Sequence, residues 1–164
     1  MDENEVKRHM KAAIGQDSHR FEESPGKPLI LGGVVFPGEP GLLANSDGDV
    51  VLHAVTNAVS GITCVNVLGG PADALCRAGI TDSAVYLQKA LEPLRGRISH
   101  LSISVECARP HITPRIPAMR ENIARLLGIV PEAVGITATS GEGLTDFGRG
   151  LGISVFCILT VEED

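Results

Sequence analysis

The feature that most constrains this fold is the run Gly152 to Val161 near the C-terminus, where Ile153, Val155, Phe156, Cys157, Ile158, Leu159 and Val161 crowd both faces of a strand. Side chains alternate between the faces of a strand, so an apolar run of this kind demands cover on both. Helices on one face and a second copy of the chain on the other would supply it. Residues 11–17 and 98–106 read as further strands, residues 29–35 as an extended pair broken at Gly32-Gly33, and residues 135–140 as a strand before the last one. Helices are expected from about Asp49 to Gly61, from a cap at Asp82 toward Leu94 with Pro93 ending it early, and from Pro117 to a stop at Gly128. Residues 63–80 carry Gly69-Gly70-Pro71 and read as loop. Gly32-Gly33 has neither the spacing nor the following helix of a dinucleotide motif. The pattern predicts an α/β (α+β) sandwich, with a mixed β-sheet and helices on one face.

A chain of 164 residues, 43% hydrophobic, is long enough for one core, so residues 1–164 are expected to form a single domain with residues 1–11 as a flexible polar extension. With no Trp, one Tyr and four Phe, that core is aliphatic and base stacking on aromatic side chains is a poor fit. The net charge of -6 argues against nonspecific nucleic-acid binding, although Arg109, Arg115, Arg120 and Arg149 could still meet a phosphate locally. Cys64, Cys76, Cys107 and Cys157 follow no metal-binding spacing and read as reduced core thiols. No apolar run approaches a bilayer's thickness and the N-terminus has no apolar signal region, so a cytoplasmic location without membrane contact is expected.

Two short stretches carry chemistry. In Ala44-Asn45-Ser46-Asp47-Gly48-Asp49, Ser46 and Asp47 are placed to cap a helix that starts near Asp49, and Asp49 and His53 would then meet on one helix face. Asp17 and His19, two apart on a strand, share a face. With His53 they would make a two-histidine, one-carboxylate set that leaves the fourth position of a tetrahedral zinc open.

These residues resemble, in order and spacing, the 2-C-methyl-D-erythritol 2,4-cyclodiphosphate synthase family. The resemblance covers about residues 12–161 and rests on Asp17-Ser18-His19, Leu42-Leu43-Ala44 before Ser46-Asp47-Gly48-Asp49, His53, Pro114-x-Ile116-Pro117-x-Met119-Arg120, Thr139-Ser140-Gly141-Glu142 and Gly148-Arg149-Gly150. It implies a homotrimer with sheets around a central channel and active sites between subunits. It also implies zinc on Asp17, His19 and His53, and Glu142 reaching a magnesium or manganese ion on a diphosphate. The implied reaction closes 4-diphosphocytidyl-2-C-methyl-D-erythritol 2-phosphate into the 2,4-cyclodiphosphate and expels CMP. Asn45 and Ser140 stand at catalytic positions of the family, and Ser46 and Gly69 at substrate positions. Pro110, His111, Ile112, Thr113, Thr139 and Arg149 align with its nucleotide contacts.

The departures bear on selectivity. Asn45 replaces a histidine, and the family's acidic G-D-I-G turn, which contacts the sugar-alcohol hydroxyls, becomes Asn66-Val67-Leu68-Gly69, where Val67 cannot accept a hydrogen bond. The family's A-P-K-M-L becomes Arg109-Pro110-His111-Ile112-Thr113, its T-T-T-E becomes Thr139-Ser140-Gly141-Glu142, and the Glu after G-R-G is Leu151. Three readings stay open: the synthase with an altered pocket, a metal enzyme of the same fold acting on another nucleotide-diphosphate-linked phosphate, and a noncatalytic trimeric binder of metal or nucleotide. His9 and His100 have no spaced partner, and Arg120 reads as a pin for the helix that starts at Pro117.

Overall fold

A computed structural model describes residues 8–163 of the chain. Its main sheet has the strand order β1-β6-β4-β5, with β1 at His9–Arg20, β4 at Arg97–Glu106, β5 at Val134–Thr139 and β6 at Gly152–Glu163. The apolar run sits in the interior of this sheet: β6 pairs antiparallel with β1 and with β4, and β5 joins β4 in parallel. A hairpin of β2 (Pro28–Leu31) and β3 (Val34–Pro40) forms a second, two-stranded sheet.

Helix α1 (Val50–Thr63) packs on β1 and β6, α3 (Ser83–Leu91) packs on α1, and α4 (Ile116–Leu127) reaches β5 and ends at Gly128 in the left-handed conformation expected of a helix stop. Between these helices and the sheet lie Val155, Leu159, Leu101, Ile103 and the fully buried face of α1, one aliphatic core. The opposite face of the sheet is open and apolar: Ile14 is 65% exposed, Phe156 44% and Ile158 53%, with Ile14 directly opposite Ile158 across the β1/β6 pair.

Three expectations are corrected here. The N-terminal extension was expected through residue 11, but His9, Met10 and Lys11 already belong to β1 and pair with the end of β6; residues 1–7 lie outside the described residues. The stretch 63–80 is not loop throughout, because Gly70–Arg77 forms a helix, α2. Pro71 is no obstacle there: in the first helical turn its missing N–H would have had no partner, and its fixed φ suits a helix start.

The third correction concerns Asp49, which does not meet His53. Asp49 is itself the N-cap of α1, in place of Ser46 or Asp47, and a cap side chain turns back over the first turn rather than along the helix face. Its Oδ1 accepts from the Leu52 N–H at 3.0 Å and the Gly32 N–H at 2.8 Å, and its Oδ2 from the Gly33 N–H at 2.7 Å. Gly32 and Gly33 have φ of +59° and +75°, the two-residue hairpin turn that glycine favours, so one carboxylate ties the β2/β3 turn to the start of α1. Asp49→Ala would strand three backbone donors, and we expect a loss of about 3 kcal/mol or more, read as a fall of about 6–12 °C in melting temperature. Burial pushes the Asp49 carboxyl up to about 6, against the pull of the three N–H donors. A carboxyl raised in the fold contributes stability that is present below its ordinary value of about 4 and is lost as pH rises through about 6. The stability gap between the native chain and Asp49→Ala should therefore be wider at about pH 4.5 than at about pH 7.5.

Candidate metal centre

Glycine at position 15 lets helix and strand meet. A Cβ there would overlap the Ala54 carbonyl oxygen and lie 2.7 Å from Ala58 N and 2.9 Å from Ala58 Cβ, so α1 rests directly on the β1 backbone. His53, the neighbour of Ala54, is thereby brought over the face of β1 that carries Asp17 and His19. Asp17 Oδ2 lies 2.9 Å from His19 Nε2 and 3.0 Å from His53 Nδ1, and the two imidazole nitrogens are 3.2 Å apart.

The tautomers follow from the partners of the other two ring nitrogens. His19 Nδ1 lies 3.1 Å from the Leu43 carbonyl, which only accepts, so Nδ1 carries the proton and Nε2 presents a lone pair. His53 Nε2 lies 2.8 Å from Ser83 Oγ, whose own hydroxyl donates to Asp47, so Nε2 carries the proton and Nδ1 is bare. Ser46 Oγ, 3.3 Å away, stands beside the same nitrogen. Two lone pairs and a carboxylate oxygen thus converge with no proton between the histidines. Their separations approach the edge of about 3.4 Å of a tetrahedron with bonds of about 2.0–2.1 Å, so the donor set fits a small divalent ion. Burial works to raise the Asp17 pKa, but were both imidazoles protonated instead, their hydrogen bonds and charge would outweigh it and hold the carboxyl well below the usual range.

The triad opens into a cavity of about 480 Å³ that Asn45, Ser46 and Gly69 also line, as do Leu68, Asp73, Cys76 and Tyr86. The other expected residues lie elsewhere in the chain. Pro110, His111, Ile112, Thr113, Thr139 and Ser140 line a second cavity of about 330 Å³, while Glu142 and Arg149 lie exposed on the loop between β5 and β6, Arg149 on Asp146 at 2.5 Å. Among the described residues, Glu142 does not join the Asp17, His19 and His53 group.

Val67 does not face the cavity. Its side chain is 3% exposed within the core, so the acceptor missing from that turn is not missing from the cavity wall, where the Asp73 carboxylate on α2 stands instead. Asp73 is hidden in the sequence because Gly69-Gly70-Pro71 masks the start of α2. Nothing local in the sequence announces the contact of Ser83 with Asp47, 36 residues away. The cysteines divide: burial pushes the thiols of Cys107 and Cys157 up to about 11 and about 12, as suits core residues, whereas Cys64 is exposed and Cys76 lines the cavity beside the Tyr86 hydroxyl. Of the cations considered for phosphate, Arg109 lies over Phe21, Arg115 over Phe36, and Arg120 donates to the Val134 and Pro131 carbonyls at 2.7 and 3.1 Å, pinning α4.

Known proteins are similar to this chain in sequence and in fold. A 2-C-methyl-D-erythritol 2,4-cyclodiphosphate synthase of Chlamydia trachomatis serovar L2b is 53% identical over 158 residues, 93% of this chain and 88% of that one. A solved 2C-methyl-D-erythritol-2,4-cyclodiphosphate synthase in a CDP-bound form superposes with a TM-score of 0.80 at 27% identity, over 93% of this chain and 100% of the other. The bifunctional IspDF from Campylobacter jejuni superposes with a TM-score of 0.87 at 27% identity, over 96% of this chain and 43% of that longer one. With the YgbB family model matched over residues 10–162 as well, this chain belongs to the YgbB family, that of the 2-C-methyl-D-erythritol 2,4-cyclodiphosphate synthases.

Proposed function

We propose that this chain is a metal-dependent lyase of isoprenoid biosynthesis that cyclises 4-diphosphocytidyl-2-C-methyl-D-erythritol 2-phosphate to 2-C-methyl-D-erythritol 2,4-cyclodiphosphate and releases CMP. The observation that carries the reading is the convergence of Asp17 Oδ2, His19 Nε2 and His53 Nδ1 on one point at the wall of a substrate-sized cavity. Asp17, His19 and His53 would hold zinc, and Glu142 would take a magnesium or manganese ion; such ions supply charge neutralisation on a diphosphate. An oxygen of the 2-phosphate attacks the β-phosphorus, a new P–O bond closes the ring, and the α–β anhydride bond breaks with its electron pair leaving on CMP. The attacking phosphate is already anionic, so no side chain has to act as a base. The work of the residues is orientation, which in favourable intramolecular reactions is worth about 7–11 kcal/mol.

Asn45 in the cavity lining would donate a hydrogen bond to the diphosphate, and Asp73 would accept from the hydroxyls of the sugar alcohol. Asp73→Ala should raise KM for the substrate about 10-fold, as expected for one lost hydrogen bond to a charged acceptor, with little change in kcat. Val67→Asp, in contrast, should not improve binding, since it would bury a charge away from the cavity.

The exposed face at Ile14, Phe156 and Ile158 supports a homotrimer in which three sheets close around a channel. In that arrangement Thr139, Ser140, Glu142 and the cavity around His111 would complete the zinc site of a neighbouring copy. Sedimentation should then give three times the 17.2 kDa of the chain, and a monomer at micromolar concentration would refute it. A cytosolic location is part of the same reading.

Incubating the purified protein with the cytidine substrate, zinc and magnesium, and following CMP by chromatography, tests the activity. CMP with the cyclic diphosphate, abolished by a chelator, is the expected result. No CMP from this substrate, with release from another nucleotide-diphosphate conjugate, would move the assignment to a different substrate of the same fold.

A further inference from the structure

The loop between β5 and β6 is strained at its functional residue. Glu142 has φ +49° and ψ +31°, left-handed for a residue with a side chain, between Gly141 at +71° and Gly143 at +73°. Such a conformation persists only where its surroundings hold it. Within the loop, Ser140 Oγ accepts from the Glu142 N–H at 3.3 Å and Thr139 Oγ1 from the Gly141 N–H at 3.4 Å. Beyond the contact with Thr139 at the end of β5, a single side-chain hydrogen bond among the described residues enters this loop from outside: the Thr145 hydroxyl donates to Glu106 Oε1, at the end of β4. Thr145 distributes that anchor. Its Oγ1 accepts from the Gly148 N–H at 2.9 Å and its carbonyl from the Arg149 N–H at 2.8 Å, so the half of the loop that carries Arg149 hangs on this threonine, beside the backbone bond from the Ala108 N–H to the Phe147 carbonyl at 3.0 Å.

Gly141 belongs to the same device. A Cβ at this position would lie 2.5 Å from Glu106 Oε1 and 2.9 Å from Gly148 Cα. The side-chain volume missing at Gly141 is thus occupied by the Glu106 carboxylate, which reaches Thr145 through it.

We infer that Glu106 is a positioning residue: through Thr145 it sets the loop that presents Glu142 and Arg149, and Gly141 is the gap that admits it. The inference rests on the functional reading above for its consequence in catalysis, and on geometry alone for its effect on the loop.

Four variants test it: Glu106→Ala, Thr145→Val, the two combined, and Glu106→Gln, which keeps an acceptor oxygen for the threonine. Each is assayed for kcat, KM and the magnesium concentration at half-maximal rate, and for amide hydrogen exchange across residues 141–150. Glu106→Ala and Thr145→Val should each lower kcat about 10-fold and raise the magnesium requirement, because a small displacement of a positioned group is costly. The combined variant should be no worse than either alone, since both break one bridge. Glu106→Gln should stay within about 3-fold of the native rate and keep native exchange, whereas the Ala and Val variants should exchange faster in this loop. Native kinetics and native exchange in Glu106→Ala would overturn the inference, as would multiplied losses in the combined variant or a Gln variant as poor as Ala. If the native protein releases no CMP, the functional reading falls by itself; faster loop exchange in the Ala and Val variants would then still support the bridge, and unchanged exchange would overturn it.

Discussion

Gly15→Ala is expected to lower the melting temperature by about 6–12 °C and to scatter the metal centre at the same time. The added methyl would strike the backbone of α1 at Ala54 and Ala58, where no rotamer change gives relief, so helix and strand must part. Overpacking of flexible cores costs about 1–3 kcal/mol; contact with backbone on both sides puts this site at or above that range, and each kcal/mol is worth about 2–4 °C at this chain length. Because His53 rides on α1 and Asp17 and His19 on β1, the same separation pulls the donors apart. Thermal melting together with zinc content checks both effects. A variant as stable as the native chain that kept its zinc would show that α1 does not depend on the close approach at Gly15.

His53→Ala should remove stoichiometric zinc and lower CMP release by more than about 100-fold, the largest activity loss of any substitution considered. The comparison that gives this meaning is Ser83→Ala. Ser83 touches no donor of the triad except through His53, where it accepts the Nε2 proton and so keeps Nδ1 bare for the metal. Losing such an outer partner costs about 10–100-fold in metal affinity or activity, so Ser83→Ala should sit between the native protein and His53→Ala. Elemental analysis and turnover of both variants read the order. His53→Ala protein with full zinc would show the ligand assignment to be wrong.

The parts of this molecule that were legible in the sequence are those governed by local periodicity. The two-sided apolarity of residues 153–161 announces an interior strand, the spacing of Asp17 and His19 puts them on one face, and Gly128 marks the end of α4. What was not legible depends on contacts between distant segments. Asp49 looked like a partner for His53 by spacing, but the Gly32-Gly33 turn, far earlier in the chain, offered its carboxylate two N–H donors and the cap geometry turned it there. Helix α2 was hidden by Gly69-Gly70-Pro71, a breaker in mid-helix but a permissible start. With α2 hidden, position 67 reads as the place for an acceptor, but it packs inward and the carboxylate in the cavity lining is Asp73. The bond between Ser83 and Asp47, like that between Thr145 and Glu106, joins residues with no periodic relation.

Within one chain Asp17, His19 and His53 lie apart from Glu142, and the proposal that two copies complete each site is the centre of this account. Co-expression of His53→Ala and Glu142→Gln chains in equal amounts, followed by measurement of CMP release, tests it directly. Each variant alone is expected to be nearly inactive. In randomly mixed trimers a site whose zinc side comes from the Glu142→Gln chain and whose loop comes from the His53→Ala chain is intact, so about a quarter of native activity should return. Mixed assemblies that stay as inactive as the separate variants would contradict a site shared between subunits.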